Sequence, residues 1–521
     1  MPNFIHYDYN QHTMIVINFL DQLLPGSFEH AIHHLIDNEV DMSVYFSAYK
    51  NEKNGRPAYD PSILLKIILF AYSKGIKSSR DIEWHCKTNI IFKALSCDTV
   101  PHHTTIASFI SGHPESVASV FEQILITCEN QNLLGHELIA IDGCKMSSNA
   151  SKEWSGTLKE LGKKRDKIKR QIDQHIKEDK ENTSNTAFDK KRKCHSKQAA
   201  ETLTKAYHKI DEFLKTAEPR IGEGKRKVEV KSNITDNESA KLGGFNGTEQ
   251  GFNTVTSTDQ KHQIINDAQA FGHSAEQATL QPVLKTISER YKRLAMNEDI
   301  YKTGIVITAD TGFADEPNMQ YLHENNINGY VPDHKFRQRD DKYKTQTEHY
   351  AKRSAHRKNS TAKSVVPASE FRYDPTDNTC ICPEGHLMTL KKQGKNQRGI
   401  ETVMFHCKAS LCKTCPIISA CMRNPQSIHK RNATGRQVSF VNEKKRKPTY
   451  TDWMKERIDS DEGKLIYGQR MAVIEPVFGN LSNKGLSKFS LRGKIKVQCQ
   501  LKLYCLVHNI EKIKNYGKIA A

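Results

Sequence analysis

The sequence lacks any apolar run long enough to cross a membrane. Its most apolar stretch, residues 63–72, is interrupted by Lys66, whereas a spanning helix needs about 20 apolar residues. The first residues also lack a basic segment followed by an apolar core, so we expect no secretory signal. These absences predict a cytoplasmic protein without a membrane partner.

A disulfide framework is also missing. The chain has 13 cysteines, an odd number at irregular spacing, and we expect reduced thiols in a protein that is not secreted. Six of them fall between Cys380 and Cys421. That clustering calls for an explanation other than disulfide bonding.

Acidic residues are scarce relative to basic ones. The 521 residues include 78 Lys and Arg against 60 Asp and Glu, a formal net charge of +18. Such an excess favours a polyanionic partner, above all double-stranded DNA, because neutralised phosphates release their counterions. A basic protein without such a partner, or one bound to an anionic membrane, is the alternative. The length predicts roughly three domains.

Two acids follow apolar strand-like segments. Asp310 comes after a β-branched run and precedes Gly312, and Asp142 follows Leu138–Ile141 as the predicted polar end of that strand. A third acid, Glu475, lies in a segment that begins with helical character. Each acid alone could simply cap a turn. Together, three carboxylates can hold two divalent cations that clamp the oxygens of a phosphoryl transfer.

With these acids in place, the chain resembles the DDE transposases of bacterial insertion sequences. The resemblance spans almost the whole chain and rests on residues 141–143, residues 309–313, and Tyr467, Arg470 and Glu475. Residues 233–238 and 251–255 also look like family segments. The third motif departs from the family pattern, because four residues instead of three separate Arg470 from Glu475, and Ser482 stands where the family has Lys.

The resemblance implies an α/β catalytic core of ribonuclease H-like fold and two Mg²⁺ or Mn²⁺ ions held by Asp142, Asp310 and Glu475. It also implies hydrolysis at the ends of a DNA element and joining of the freed 3′-hydroxyl to target DNA. We expect a dimer on DNA, in the bacterial cytoplasm near the nucleoid. Asp461 and Glu462 are reserve candidates for the third acid. Pro476 predicts a kink at Glu475.

Residues 1–130 are predicted to form an all-α N-terminal domain. Asp60 and Pro61 predict a helix start, Gly75 its end, and Ser78 the start of the next helix. A third helix near residue 101 would complete a helix-turn-helix. Its predicted DNA contacts are His102, His103, Thr104 and Thr105. A plain helical bundle used for dimerisation is the alternative, and Trp84 is predicted to be a core residue.

The remaining chain is predicted to form an interrupted core. Residues 131–333 hold its first part, with a charged helical hairpin inserted at 155–230 and connected by residues 180–196. Strands at 253–259 and 263–271, a helix from 281 and a strand at 329–332 complete the ribonuclease H-like order. Residues 334–435 form a basic, cysteine-rich insertion, polar and mobile through 369. Residues 436–521 carry the third acid.

Within the insertion, a Cys-x-x-Cys pair and two further cysteines fit a tetrahedral zinc site. The first-choice ligands are Cys382, Cys412, Cys415 and Cys421, with Cys380 and Cys407 as substitutes. Unliganded thiols and an iron–sulfur cluster are the competing interpretations.

Near the third acid, basic and aromatic residues predict further DNA contacts. They are Tyr467, Arg470, Lys484, Arg492 and Lys494. Two other functions stay open at this point: a nuclease of the same core that cuts without joining, and a DNA-binding protein whose acids are inert.

Overall fold

The computed structural model describes residues 17–49, 57–181, 187–222, 227–244, 247–296, 299–343, 365–395, 401–430, 433–441 and 448–519. The chain divides into two compact units. Met1–Pro332 and Ser460–Ala521 form the first, which we call the sheet unit, and Asp333–Asp459 form the second, the cysteine-rich unit. In the described ranges, no helix combines the length and apolar character needed to cross a membrane.

The N-terminal part of the sheet unit is helical, as predicted. Its helices are α1 (Phe28–Asn38), α2 (Pro61–Ser73), α3 (Ser79–Thr88), α4 (Ile90–Leu95), α5 (His103–Gly112) and α6 (Pro114–Asn130). The predicted caps are confirmed: Asp60 accepts from the Ser62 N–H, and Ser78 accepts from the Asp81 N–H. Gly75 follows α2 with φ +76°, a backbone conformation that glycine adopts without strain.

The predicted core position of Trp84 is wrong. Helix α3 buries Ile82 and Cys86, which lie one turn apart on the same face. Trp84 falls between them in sequence and therefore points to the opposite side, where it is 58% exposed.

A mixed sheet forms the centre of the unit. Its strands are β1 (Leu138–Ser147), β4 (Ala240–Gly244), β5 (Gly247–Asp259), β6 (Ile265–Phe271), β7 (Val306–Ala309) and β8 (Gly329–Tyr330), while β2 (Ser155–Gly156) and β3 (Ser232–Asn233) pair separately. The order is β6-β5-β1-β7-β8, with β4 also paired to β5. Strands β6, β5 and β1 are antiparallel neighbours, and β1, β7 and β8 run parallel.

The sheet confirms that Asp142 and Asp310 belong to neighbouring strands. Strand β1 pairs with β7, and Ile141 lies opposite Ala309. The prediction that Asp142 ends its strand is wrong, because β1 continues to Ser147 alongside β5. The β-branched and apolar residues before Asp142 resemble a complete strand, and the polar continuation is supported by pairing that only the fold reveals.

The inserted helical hairpin is confirmed. Helices α7 (Leu158–Glu181) and α8 (Ala187–Thr216) pack through Leu161, Ile168 and Ile210, which form the seam of an antiparallel pair. The predicted connection at 180–196 is too long, because α8 already begins at Ala187. Helices α9 (Leu280–Arg293) and α10 (Glu316–Glu324) follow in the sheet unit.

The cysteine-rich unit contains its own antiparallel sheet. Its elements are α11 (Phe336–Arg339), β9 (Arg372–Asp374), β10 (Thr379–Ile381), β11 (Leu387–Lys395), β12 (Glu401–His406), α12 (Ala409–Lys413), α13 (Ile418–Cys421), β13 (Gln437–Val441) and α14 (Tyr450–Asp459). The strand order is β13-β12-β11-β10-β9. Most of the segment predicted to be mobile, residues 344–364, lies outside the described residues.

Two long helices return the chain to the sheet unit. Helix α15 (Asp461–Asn483) packs Val473 and Ile474 on Leu138 and Ala140 of β1. The helix continues through Pro476, so Glu475 lies within it and not at its end, and the kink at Glu475 stays a prediction. Buried residues lie on both sides of the proline, Val473 and Ile474 before it and Val477 and Leu481 after it.

Helix α16 (Lys494–Tyr516) closes the exposed edge of the sheet. Gln498 exchanges hydrogen bonds with the backbone of Ala268 and Ala270, and Asn509 does the same with Ile265, at 2.6–3.0 Å. Side-chain amides thus satisfy the free backbone groups of edge strand β6. The largely buried helix also stacks Tyr504 on Tyr72 of the N-terminal helices, with ring centroids 4.4 Å apart.

Candidate active site

Asp142 and Asp310 lie on the same face of the sheet, the one covered by α15. Side chains alternate along strands, and Ala140 pairs with Thr308, so residues two positions further along each strand also share that face. Helix α15 covers this face, because its buried residues contact Ala140. The two carboxylates therefore meet at the edge of the α15 interface.

Arg470 of α15 bridges the two acids. Its Nη1 lies 3.0 Å from Asp142 Oδ2, and its Nη2 lies 3.5 Å from Asp310 Oδ1. The Tyr467 hydroxyl donates to the same Asp310 oxygen at 3.5 Å. Only 8% of the Arg470 side chain is exposed, so the guanidinium neutralises the acids where water screens charge poorly. The spacing of Tyr467 and Arg470 on one helix face agrees with the predicted helix.

The environment of Asp142 opposes its ionisation. Burial raises the pKa of its carboxyl above the ordinary value, and the nearby charge of Asp310 adds to this effect. The Arg470 charge and the Gly143 N–H, which donates to Asp142 Oδ1 at 2.8 Å, work in the opposite direction. Asp142 therefore depends on a neighbouring cation for its charged form.

Glu475 is not drawn into this cluster. It is exposed on α15, and five residues of helix turn it about 140° from Arg470, on the same side as Tyr467 but farther toward solvent. Among the described residues, one group of acids, histidines or cysteines brings three ligand atoms within 4.8 Å of one another, and it lies in the N-terminal helices. Asp142, Asp310 and Glu475 do not form such a group. The reserve acids Asp461 and Glu462 are exposed in the first turn of α15.

Sequence reasoning missed Glu276. Its carboxylate fills the space beside Gly312, where an added Cβ would lie 1.9 Å from Glu276 Oε2, and its Cγ would lie 3.8 Å from a Cβ added to Gly143. It lies 3.6 Å from the Lys145 ammonium. A third acid thus lines the glycines that follow both aspartates. The only sequence signal is Gly312 itself, since a glycine next to a strand-end acid permits close approach.

The basic residues after α15 have different roles. Lys484 is 7% exposed, and its ammonium donates to Glu511 at 2.7 Å, which ties α15 to α16. We therefore leave it out of the DNA-contacting surface. Arg492 and Lys494 are exposed. The backbone N–H of Lys494 donates to Glu238 at 2.7 Å, which caps the start of α16 and leaves the lysine side chain at the surface.

The predicted contacts of the N-terminal region cluster at the start of α5. His102 is its N-cap, His102 and Thr104 are exposed, and His103 and Thr105 are half-buried. Glu83 of α3 accepts from the His103 backbone N–H at 2.9 Å and contacts its ring Nδ1 at 2.7 Å. Hydrogen bonds from Lys87 and His103 lower the pKa of Glu83 to about 2. This ion-pair network fixes α5 against α3.

Glu83, His102 and His103 also form the one close group of three metal-ligand atoms in the described ranges. Both Glu83 oxygens already accept hydrogen bonds, however, from Lys87 and His103. His102 Nδ1 lies 2.7 Å from the Thr104 hydroxyl. These contacts account for the group as a link between helices.

The four predicted zinc ligands surround one small cavity in the cysteine-rich unit. Cys382, Cys412, Cys415 and Cys421 line it, together with the substitute ligand Cys407. Cys380, the other substitute, does not line it. Its thiol is buried on β10 and lies 3.7 Å from Met388 Sδ.

Two family comparisons identify the protein class. Residues 381–514, which include the cysteines and Tyr467, Arg470 and Glu475, match the transposase DDE domain. Residues 18–112, which include α1 to α5, match a transposase domain family (DUF772). Both matches support a DDE transposase of insertion-sequence type. Asp142 and Asp310 lie outside both matched ranges.

The family assignment supports a transposase function that acts on DNA and a class that typically uses divalent metal ions. No curated protein and no solved structure matches the transposase at a significant level. The residues that carry the chemistry must therefore be argued from the geometry of the site itself.

Proposed function

We propose that the transposase cleaves DNA at the ends of its element and joins the freed 3′ ends to target DNA. Asp142, Asp310 and Glu475 are the proposed catalytic acids. The observation that carries the proposal is the meeting of Asp142 and Asp310 around Arg470. Two buried or half-buried carboxylates on adjacent strands repel each other, and a fold keeps such a pair where the negative charge has a use.

The strand order supports a ribonuclease H-like core. Three antiparallel strands, β6, β5 and β1, are followed across the sheet by β7 and β8, both parallel to β1. This is the arrangement that the resemblance implies, with the two aspartates on the central pair. The helical hairpin and the cysteine-rich unit are insertions between its strands and α15.

The residues at this edge fit divalent metal ions. Arg470 already supplies a positive charge between the two carboxylates, which indicates that the site favours a bridging cation. Carboxylate oxygens are the ligands that Mg²⁺ and Mn²⁺ prefer. Asp142, Asp310 and Glu475 would hold the ions, which would activate a water nucleophile and steady the departing 3′-oxygen.

The residues of the chain then have separate tasks. Asp142 and Asp310 provide fixed negative charge on a rigid sheet. Arg470, whose fork of donors suits phosphate as well as carboxylate, would exchange its acid partners for the DNA backbone. Tyr467 donates to Asp310 and orients it. Glu475, exposed on α15 five residues after Arg470, would complete the site by turning its long side chain toward the sheet.

The DNA-binding surfaces and the number of copies complete the proposal. The α3–α5 region would act as a helix-turn-helix, with His102, His103, Thr104 and Thr105 at the DNA, and Arg492 and Lys494 would contact phosphates. Because the transposase would cleave and join both ends of its element, two copies of it would bind the DNA together.

The proposal is tested by single-turnover cleavage of a labelled duplex that carries an element end, with Mg²⁺. Asp142→Asn, Asp310→Asn and Glu475→Gln should each abolish cleavage, while Glu276→Gln, a matched acid-to-amide change at the same edge, should retain it. Retained cleavage in Glu475→Gln with loss in Glu276→Gln would transfer the third role to Glu276.

Two further outcomes decide the function class. Precut ends incubated with plasmid should be joined to it, and cleavage without joining would indicate a nuclease. Equal activity of all aspartate variants and the unmodified protein would indicate that the chain only binds DNA.

A further inference from the structure

The cysteine-rich unit holds five thiols around one cavity of about 20 Å³. The cavity lies between the turn that joins β10 to β11, which carries Cys382, and the segment of α12 and α13, whose helices carry Cys412 and Cys421 and whose connection carries Cys415. A space of this size holds a single ion or water molecule. Five of the six cysteines between residues 380 and 421 therefore face a common centre.

Backbone N–H groups are directed at two of these sulfurs. The His386 N–H donates to Cys382 Sγ at 3.3 Å, and the Ile417 N–H donates to the Cys415 thiol. Both cysteines begin a tight turn, and the first turn is shaped by Gly385 with φ +80°. These contacts are independent of the Cys-x-x-Cys spacing.

Gly435 allows the backbone to approach the Cys412 sulfur closely. A Cβ on Gly435 would lie 2.6 Å from Cys412 Sγ, so a side chain there would displace the thiol. Arg436 lines the cavity too, and its buried Nε has no hydrogen-bond partner among the described residues. A guanidinium beside the cavity offsets the negative charge of several thiolates.

We propose that this cavity binds one structural Zn²⁺ through Cys382, Cys412, Cys415 and Cys421. Each thiol gives up its proton, so binding releases four protons and forms four zinc–sulfur bonds without any change of oxidation state. Cys407, the most deeply buried of the five at 2% exposure, stays outside the ligand set and hydrogen-bonds to Cys412. The proposal does not depend on the transposase chemistry.

Zinc binding also requires the thiols to approach one another. No three of them lie within 4.8 Å in this structure, whereas zinc–sulfur bonds of about 2.3 Å place the sulfurs about 3.8 Å apart. Because the four ligands lie on turns and at helix ends, the proposal requires their side chains to rotate toward the cavity centre while the strands stay in place. The ion would then fasten the β10–β11 turn to α12 and α13.

The test is the metal content of the full chain, purified under reducing conditions without chelator. About one zinc per chain is expected. Cys382→Ser and Cys415→Ser should lose zinc at least about tenfold more readily to a chromogenic chelator. Cys380→Ser, a matched change off the cavity, and Cys407→Ser should keep it. Cys415→His should also keep zinc, because imidazole replaces the thiolate as a ligand.

Two controls separate this site from the others. Glu83→Gln and Asp142→Asn should leave the zinc content unchanged, so failure of the DNA chemistry and failure of the zinc site are distinguishable. The proposal is overturned if the reduced chain binds no zinc, if Glu83→Gln removes it, or if Cys382→Ser keeps it while Cys407→Ser does not. Should the serine variants not fold, thiolate-to-cobalt absorption bands of the Co²⁺-substituted unmodified chain give the ligand count, and fewer than four thiolates contradicts the proposed set.

Discussion

The sheet unit and the cysteine-rich unit hold their candidate metal ligands in different ways. In the sheet unit, Asp142 and Asp310 sit on paired strands and are bridged by Arg470. In the cysteine-rich unit, the thiols lie on turns and short helices around a cavity. Paired strands hold the first set of ligands together without an ion, whereas the proposed zinc would draw the second set together.

The cores of the two units explain why. The sheet unit is supported by the largely buried helix α16 and does not rely on its acids for stability. The cysteine-rich core cluster contains ten buried residues, four of which are cysteines, so ligands and core overlap. The comparison therefore predicts that losing the acids costs activity and that losing the thiols costs structure.

The largest expected effect is on catalysis. Asp142→Asn or Asp310→Asn should lower DNA cleavage by at least about 10³-fold, because residues that act as one catalytic unit fail together. The melting temperature should change little, since the sheet and α15 keep their apolar contacts. Single-turnover kinetics and calorimetry measure the two effects. If the aspartate variants lose cleavage only because they unfold, the contrast between a catalytic site in the sheet unit and a structural site in the cysteine-rich unit is wrong.

The second largest effect is expected on the structure of the cysteine-rich unit. Removal of zinc by a strong chelator should expose residues 333–459 to limited proteolysis while the sheet unit stays protected. Chelation of magnesium alone should leave both units protected. Mass spectrometry of the fragments locates the cuts. Equal protection with and without zinc would mean that the thiols are only core residues.

How far the sequence predicts these two sites depends on the kind of signal. The apolar strands before Asp142 and Asp310 and the amphipathic hairpin helices follow from periodicity, and the fold has them. The exposure of Trp84 and the continuation of α15 through Pro476 depend on packing with distant segments, which no local pattern contains. Glu276 was missed for the same reason, because only the fold brings it to Gly312.

A third prediction concerns Arg470. Arg470→Ala should destabilise the sheet unit by roughly 3 kcal/mol, because two acids lose the partner that neutralises them. Mg²⁺ should restore more stability to this variant than to the unmodified chain, since the ion replaces the missing charge. Thermal unfolding with and without Mg²⁺ checks this. Arg492→Ala, which removes an exposed arginine, serves as the control. Identical Mg²⁺ effects in both variants would contradict a cation site between the acids.

The fourth prediction is a pH dependence. Burial lowers the pKa of His508 from 6.5 to about 4. Its Nδ1 accepts from the Asn480 side-chain amide, and its Nε2 donates to the Gln263 carbonyl. In the unfolded chain the His508 imidazole is protonated below about pH 6.5, whereas in the folded unit it is protonated only below about pH 4. The stabilisation is thus full above pH 6.5 and is lost as the pH falls to about 4, by up to roughly 3 kcal/mol.

His508→Gln should flatten this profile in denaturant titrations between pH 4 and 7. The cysteine-rich unit should also loosen in acid, through protonation of its thiolates, but that change should track zinc release rather than residue 508. A variant with an unaltered pH profile would show that another group controls the acid lability of the sheet unit.

The smallest effect is expected at exposed basic residues. Arg492→Ala and Lys494→Ala should each weaken DNA binding about equally for all sequences and reduce the salt slope by about one. Lys484→Ala should instead lower stability, because its buried ammonium is paired with Glu511. Binding isotherms at several salt concentrations separate the cases, and an unchanged salt slope in Lys494→Ala would remove it from the DNA surface.

The most direct test of the catalytic account is anomalous scattering from a crystal of the transposase with a DNA end and Mn²⁺. The account predicts manganese in direct contact with both Asp142 and Asp310, Glu475 turned inward as a further ligand, and Arg470 moved to a phosphate. Manganese bound elsewhere, with Arg470 still bridging the two aspartates, would contradict it.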